Sequence, residues 1–299
     1  MDESELEFRF NKAAEYQEEG KFLHAIQIYS QLSNFGGYKR ESCIQLHKIY
    51  ESMGKIYNAS KILKDFLAEF PDDFDLRKYY SLFLIKNSMY EEAEGQLSFL
   101  STNEIPEVKF LSGIARFFLK EFETASINFA DFLEQNKSSD YCYDAYIYLA
   151  KTYLELNEID KALEAARKAD NIYSSDDELQ LVLTKIYLLK GMNFHAFDAV
   201  SKGLRLNNES RQMNELAGRI LFEIGEYEKA ENHLNKIADG SEQPDEIFTL
   251  LGIIYFKKNN HDKASEMFAK ALELNPGNSL AAKSIKACSE IMKNKNVSQ

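Results

Sequence analysis

Tryptophan is absent from the 299 residues, cysteine occurs three times and proline four. Cys43, Cys142 and Cys288 are odd in number, far apart, and unaccompanied by a CxxC or a histidine at metal spacing. They therefore make neither a disulfide framework nor a metal site, and read as free thiols packed as small hydrophobes. No apolar run approaches the roughly 20 residues that a membrane-crossing helix needs. Basic residues are outnumbered, 36 against 48 acidic, giving a formal net charge of -12. Such a field repels nucleic acid and anionic lipid, which excludes both as main ligands. The opening MDESELEFRF has acids where a secretory signal carries basic residues followed by an apolar run. A cytoplasmic protein without membrane insertion is expected. The phosphate, dinucleotide, zinc-protease and nucleophile-elbow motifs GxxxxGK[ST], GxGxxG, HExxH and GxSxG are also missing, and His24, His47, His195, His233 and His261 are scattered singly. No enzyme, cofactor or metal is expected.

What is present is punctuation with a period. Pro71, Pro106, Pro244 and Pro276 all fall between segments of helical periodicity, where a fixed φ and a missing amide donor do no harm. Gly20, Gly54, Gly191 and Gly225 mark turns, and Gly36, Gly37, Gly240 and Gly277 fall in longer connections, which leaves Gly95 and Gly203 without a role inside helices. A further group, Gly113, Gly218 and Gly252, sits amid apolar residues, and each is followed twelve residues later by alanine. Tracking that alanine gives Ala25, Ala59, Ala93, Ala125, Ala162, Ala196, Ala230 and Ala264, with spacings of 34, 34, 32, 37, 34, 34 and 34.

The chain thus divides into eight units beginning near 6, 40, 74, 106, 143, 177, 211 and 245 and filling residues 1–278. The short and long intervals place irregular joints at SFLSTNEIP and EQNKSSD, neither long enough to be a flexible linker, so one continuous array is expected. In the remaining 279–299, Ala281, Ile285, Cys288 and Met292 recur at helical spacing opposite Lys283, Lys286, Glu290 and Lys293. This predicts a capping helix with a frayed tail from Lys295 to Gln299.

The stretch LLGIIYFKKNNHDKASEMFAKALELNP carries Leu251, Gly252, Tyr255, Ala264, Phe268, Ala271 and Pro276, preceded by Phe248. A 34-residue period with LGxxY, AxxxFxxA and P resembles the tetratricopeptide repeat (TPR) family, in which Trp often stands at the place of Phe248. The second unit keeps Leu46, Tyr50, Gly54, Ala59, Leu63, Phe66 and Pro71 but departs at His47, where the family prefers a small residue. The resemblance runs from about Leu6 to Asn278. It implies an all-α fold, a right-handed α-solenoid or superhelix of helix-turn-helix TPR units closed by the C-terminal helix. Gly252 and Ala264 then act as clearance where two helices cross, and Leu251, Tyr255 and Phe268 fill the volume around them.

The same resemblance directs attention to the first helix of each unit, which in TPR arrays lines a concave groove that receives a segment of another protein. Counting along the helices places Phe110, Ile114 and Phe117 there, with Phe118 beside them, followed by Ile147, Lys151 and Leu154, then Leu181, Lys185, Leu188 and Leu189, and finally Arg219, Phe222, Ile253 and Phe256. Lys151, Lys185 and Arg219 recur at intervals of 34 and are expected to stack as a column on an apolar floor. A partner peptide or helix with apolar anchors and acidic residues would fit such a groove. The first units present Glu7, Phe10, Gln17, Glu18, Glu41, Lys48 and Glu51 and read as a more polar end. The carboxylate clamp of chaperone-binding TPR domains is missing, since its places hold Phe10, Ala14, Gln45, Asp75 and Tyr79. A non-catalytic scaffold or adaptor is the expected function, with self-association into a structural subunit as the alternative.

Overall fold

The computed structural model describes residues 2–100, 105–238 and 245–297, and all regular structure among them is helical. Two compact units divide the chain. Unit 1, Met1–Leu156, contains α1 (Glu3–Glu18), α2 (Phe22–Leu32), α3 (Gly36–Ser52), α4 (Ile56–Glu69), α5 (Phe74–Lys86), α6 (Tyr90–Leu100), α7 (Pro106–Phe118), α8 (Phe122–Gln135) and α9 (Cys142–Glu155). Unit 2, Asn157–Gln299, contains α10 (Ile159–Ile172), α11 (Asp177–Leu189), α12 (Asn193–Leu206), α13 (Arg211–Glu223), α14 (Tyr227–Ala238), α15 (Asp245–Lys257), α16 (His261–Leu274) and α17 (Ser279–Val297). Within each unit, helices adjacent in sequence pack on one another, most closely in the pairs α7/α8, α11/α12, α13/α14 and α15/α16.

Short polar residues cap several of the helices. The side chains of Asp73, Asp176 and Asn260 accept the amides of Leu76, Leu179 and Lys263 at 3.0, 2.9 and 3.2 Å, satisfying donors that the helix leaves without partners. The turns are as regular as the helices. Gly20, Gly54, Gly191 and Gly225 have positive φ, and so do Ser88, Lys120, Asn157 and Asn259. These eight residues each lie five before one of the eight alanines. Around Gly20 the amide of Lys21 donates to the Tyr16 carbonyl at 2.8 Å and that of Gly20 to Gln17 at 3.1 Å, and the same pair of bonds recurs around Lys120 through Glu121 to Arg116 and Lys120 to Phe117. This is the left-handed helix stop, which needs a backbone that only glycine adopts without cost.

All eight alanines are completely buried. A Cβ added at Gly113 would lie 2.7 Å from the ring of Phe129, at Gly218 2.6 Å from Leu234, and at Gly252 2.5 Å from Phe268. The small residues are therefore where one helix meets the side chain sixteen positions later, and the clearance reading holds at atomic level. Gly203 acquires a role as well, because a Cβ there would meet Met213 at 2.6 Å on α13. Among the described residues, nothing beyond its own helix backbone lies within 4 Å of a Cβ added at Gly95, and no such contact explains the glycine.

Some expectations change. Gly36 and Gly37 open α3 instead of lying in a connection, and α17 continues through Lys295 to Val297. Gly240, Pro244 and residues 101–104 of the SFLSTNEIP joint lie outside the described residues. In α17, Ala281 and Cys288 are buried and Ile285 and Met292 pack on the same core, while Lys283, Lys286, Glu290 and Lys293 are exposed. The register of Phe248 holds Arg77, Gln180 and Asn214 elsewhere. Each is buried and donates to the carbonyl six residues back, Pro71, Ser174 and Asn208, at 2.8, 3.2 and 2.9 Å. A polar side chain at that register thus ties down the loop that precedes its helix.

Candidate functional site

The chemistry-bearing side chains are mostly absorbed by packing. Cys43, Cys142 and Cys288 are buried free thiols, and burial pushes the Cys43 thiol up to about 12, which makes it inert toward oxidants and electrophiles. Among the described residues no group of three or more His, Cys, Asp or Glu is placed to hold a metal ion, and no helix is long and apolar enough to cross a membrane. His233 faces the Asn214 amide oxygen at 2.9 Å, and burial holds its imidazole below the ordinary histidine range.

In unit 1 the structure separates the residues that the count along α7 and α9 grouped together. Phe110, Ile114 and Ile147 are buried and present no surface to a partner. Phe110 is enclosed by Phe129, Phe132 and Tyr141, with ring centroids 6.2, 5.5 and 5.1 Å away. The reason is geometric: these positions face the neighbouring helix of the unit, so the apolar floor is partly core. Phe117 is half-buried, edge-on to Phe122 and Tyr148 at 5.6 and 5.7 Å. Phe118 remains 44% exposed and stacks on Tyr90 of α6 at 4.6 Å with planes 7° apart. Leu154 is half-buried, and the Lys151 ammonium sits 4.9 Å over the Tyr148 ring, a cation–π contact that fixes the lysine beside the aromatic group. Leu82 is exposed on α5, eleven residues before Ala93, the register that Lys151 holds before Ala162.

In unit 2, Leu181 and Leu188 of α11 are half-buried against a core of Ala196, Val200, Met213, Ala217 and Ile220, and Leu189 is 61% exposed beside them. Lys185, on the same helix, is half-buried. Arg219 of α13 is not free. Its guanidinium donates to Glu215 at 3.0 Å and to Glu246 of α15 at 2.8 Å. Burial works against its charge, and the two carboxylates more than offset that, keeping it protonated. Arg219 and Glu246 border a cleft of about 460 Å³ with Thr249, Leu250, Ile253, Asn278 and Leu280. Phe222 and Phe256 are half-buried on the same core as Leu250 and Ile253. Unit 2 therefore brings Arg219, Phe222, Ile253 and Phe256 together on α13 and α15, while Lys151 belongs to unit 1. The carboxylates around Arg219 were missed by sequence reasoning, although Glu215 stands one helical turn before Arg219 and so carried a signal.

Two segments, residues 143–176 and 246–278, match models of the tetratricopeptide repeat. By sequence the chain is similar to the human protein O-mannosyl-transferase TMTC1, 28% identical over 132 residues that make up 44% of this chain and 15% of that protein. It is also similar to the type IV pilus assembly protein PilF of Pseudomonas aeruginosa, 26% identical over 145 residues, 48% of this chain and 58% of that one. The matched segments thus span less than two thirds of either relative. A solved structure of Pseudomonas aeruginosa PilF superposes on 72% of this chain and 96% of its own with a TM-score of 0.61 at 16% identity. The structure of YrrB, a TPR protein with an unusual peptide-binding site, superposes on 64% of this chain and 97% of its own, with a TM-score of 0.57 at 19% identity. At these identities the structural likeness shows the fold.

Proposed function

We propose, from the premise that the chain is a tetratricopeptide repeat protein, that it works as a non-catalytic scaffold whose first-helix face holds an apolar, acidic segment of another protein. TPR proteins generally mediate protein–protein interactions. The observation that carries the reading is the pairing of an exposed apolar side chain with a cation on that face: Phe118 near Lys151 through the shared Tyr148 ring in unit 1, and Leu189 one turn from Lys185 on α11 in unit 2. Apolar burial would supply most of the affinity, at about 25 cal/mol per Å² before association costs, and the cations would set register and speed encounter. The partner-facing set narrows to Phe117, Phe118, Lys151, Leu154, Leu181, Lys185, Leu188, Leu189, Arg219, Phe222 and Phe256. With this goes the reading of residues 1–278 as eight stacked repeats in a right-handed superhelix, capped by α17, in a cytoplasmic protein.

Lys185 is the position for the test, because reversing Arg219 would set a third carboxylate beside Glu215 and Glu246. Short labelled peptides alternating Leu or Phe with Glu are titrated into the full chain by fluorescence anisotropy, with Lys-containing counterparts as controls. The expected result is binding of the acidic series, weakened several-fold by Lys185→Glu at unchanged Tm. Equal binding of both series would remove the reading. A mass that grows with concentration in light scattering would assign the face to a second copy of the chain instead.

A further inference from the structure

Twelve residues before each buried alanine the chain carries a small residue, Ala13, Ser81, Gly113 and Ala150 in unit 1 and Thr184, Gly218 and Gly252 in unit 2. His47 is the exception, and it is completely buried. Where Ser81 and Thr184 satisfy their hydroxyls within their own helices, donating to Arg77 and Gln180, the imidazole reaches across. Its Nδ1 lies 3.1 Å from the carbonyl oxygen of Ala59, the crossing alanine of α4. A carbonyl only accepts, so Nδ1 carries the proton and donates, and Nε2 keeps its lone pair. Buried Nε2 has no hydrogen-bond partner.

Among the described residues, the charged groups that act on the ring come from two helices. From α3 there are Glu51, whose Oε2 is 3.8 Å from Nε2, and Lys48; from α5 there is Lys86, which donates to Oε1 of Glu51 at 2.8 Å. Tyr79 and Phe83 of α5 meet the ring edge-on at 5.3 and 4.6 Å, and α4 presents the Ala59 carbonyl without an ionisable group. The neutral imidazole is thus well housed. The imidazolium is not, because its second N–H would face Glu51 Oε2 at 3.8 Å, beyond hydrogen-bond reach, on a carboxylate whose charge Lys86 already offsets through Oε1, and the fully buried ring is lined by two aromatic rings.

We propose that His47 is a proton-operated release for the α3–α4 crossing: uptake of one solvent proton at Nε2 forms an imidazolium that the closed crossing cannot hold, and the α3–α4 packing opens together with the Glu51–Lys86 tie to α5. Burial lowers the proton affinity of the folded imidazole, more than the nearby Glu51 raises it. The sign follows. Above the ordinary histidine value of about 6.5 both folded and opened states are neutral and the crossing is closed; below it the opened state takes up a proton that the closed state refuses, and opening becomes easier by up to about tenfold per pH unit.

Hydrogen exchange of the full chain, read by mass spectrometry between pH about 7.5 and about 5.5 and corrected for the intrinsic pH dependence of exchange, tests this. Opening of α3–α4 should rise toward about tenfold per pH unit below about 6.5, while α7–α8, which contain no histidine, stay level. His47→Asn, which keeps an amide donor for Ala59 and cannot titrate, should abolish the rise. The ring of His47 in the wild-type chain, followed by NMR, should not titrate near about 6.5 while α3–α4 remain closed; this measurement decides the matter even when the Asn variant does not fold. A flat wild-type profile, a rise that survives His47→Asn, or a ring that titrates normally in the folded chain would each overturn the proposal.

Discussion

Gly252→Ala adds one methyl group to α15 and tests the packing account directly. The new Cβ would lie 2.5, 2.7 and 2.9 Å from three ring carbons of Phe268, a ring that is buried and cannot swing into solvent. Overpacking of a close-packed core costs about 1–3 kcal/mol, and the gain from replacing a helical glycine by alanine returns about 1 kcal/mol. The net expectation is a loss of about 1 kcal/mol, extending to about 2 where the ring is most constrained. Gly95→Ala is the internal control, since no described residue outside the helix's own backbone lies within 4 Å of its added methyl in α6, and it should stabilise by about 0.5–1 kcal/mol. Urea denaturation followed by far-ultraviolet circular dichroism compares the two. The same chemical change should move the midpoint in opposite directions. Phe268→Val should cost less on the Gly252→Ala background than in the parent chain, because Thr184 and Val200 occupy these two registers elsewhere in unit 2 and are both fully buried. A double-mutant cycle would then give a coupling of about 1–2 kcal/mol. If Gly252→Ala stabilises as much as Gly95→Ala, the close approach is wrong and so is the reading of the repeat.

Lys120→Gly should stabilise unit 1 by about 0.5–1 kcal/mol, since relief of a left-handed non-glycine residue outweighs the extra freedom of the unfolded chain; its φ is 63°, and the urea midpoint reads the gain. Ala264→Asp places a carboxylate at a completely buried crossing and should cost about 3 kcal/mol or more, seen as a lowered Tm or loss of soluble protein. His233 is held below its ordinary value by burial, so the folded state refuses a proton that the unfolded state accepts. Its contribution is intact above about pH 6.5 and declines as pH falls below that value; His233→Asn should flatten the pH dependence of unit 2 unfolding over that window.

How much could be read in advance follows from how this kind of molecule is stabilised. Each helix pair buries its apolar face against near neighbours in sequence, so the same steric demand returns at a fixed offset. That is why eight alanines, three crossing glycines and four turn glycines were legible in the sequence, and why an all-helical fold followed from them. The turn residues Ser88, Lys120, Asn157 and Asn259 were not, because they differ from glycine and only the backbone dihedrals reveal the common conformation.

Which face of a helix remains uncovered is another matter, since it depends on neighbours that a count along one helix does not see. The sequence alone determined the helical period, the crossing positions, the free cysteines and the excess of acidic charge. Tertiary structure alone decided that Phe110, Ile114 and Ile147 are core while Phe118 and Leu189 face water, that Arg219 is already held by two carboxylates, and that Arg77, Gln180 and Asn214 tie down loops. It also decided that His47 fills a place meant for a small side chain, bonded to one helix and packed on another. Periodic packing is written in residue size at fixed offsets, whereas exposure and pairing are set by distances between helices.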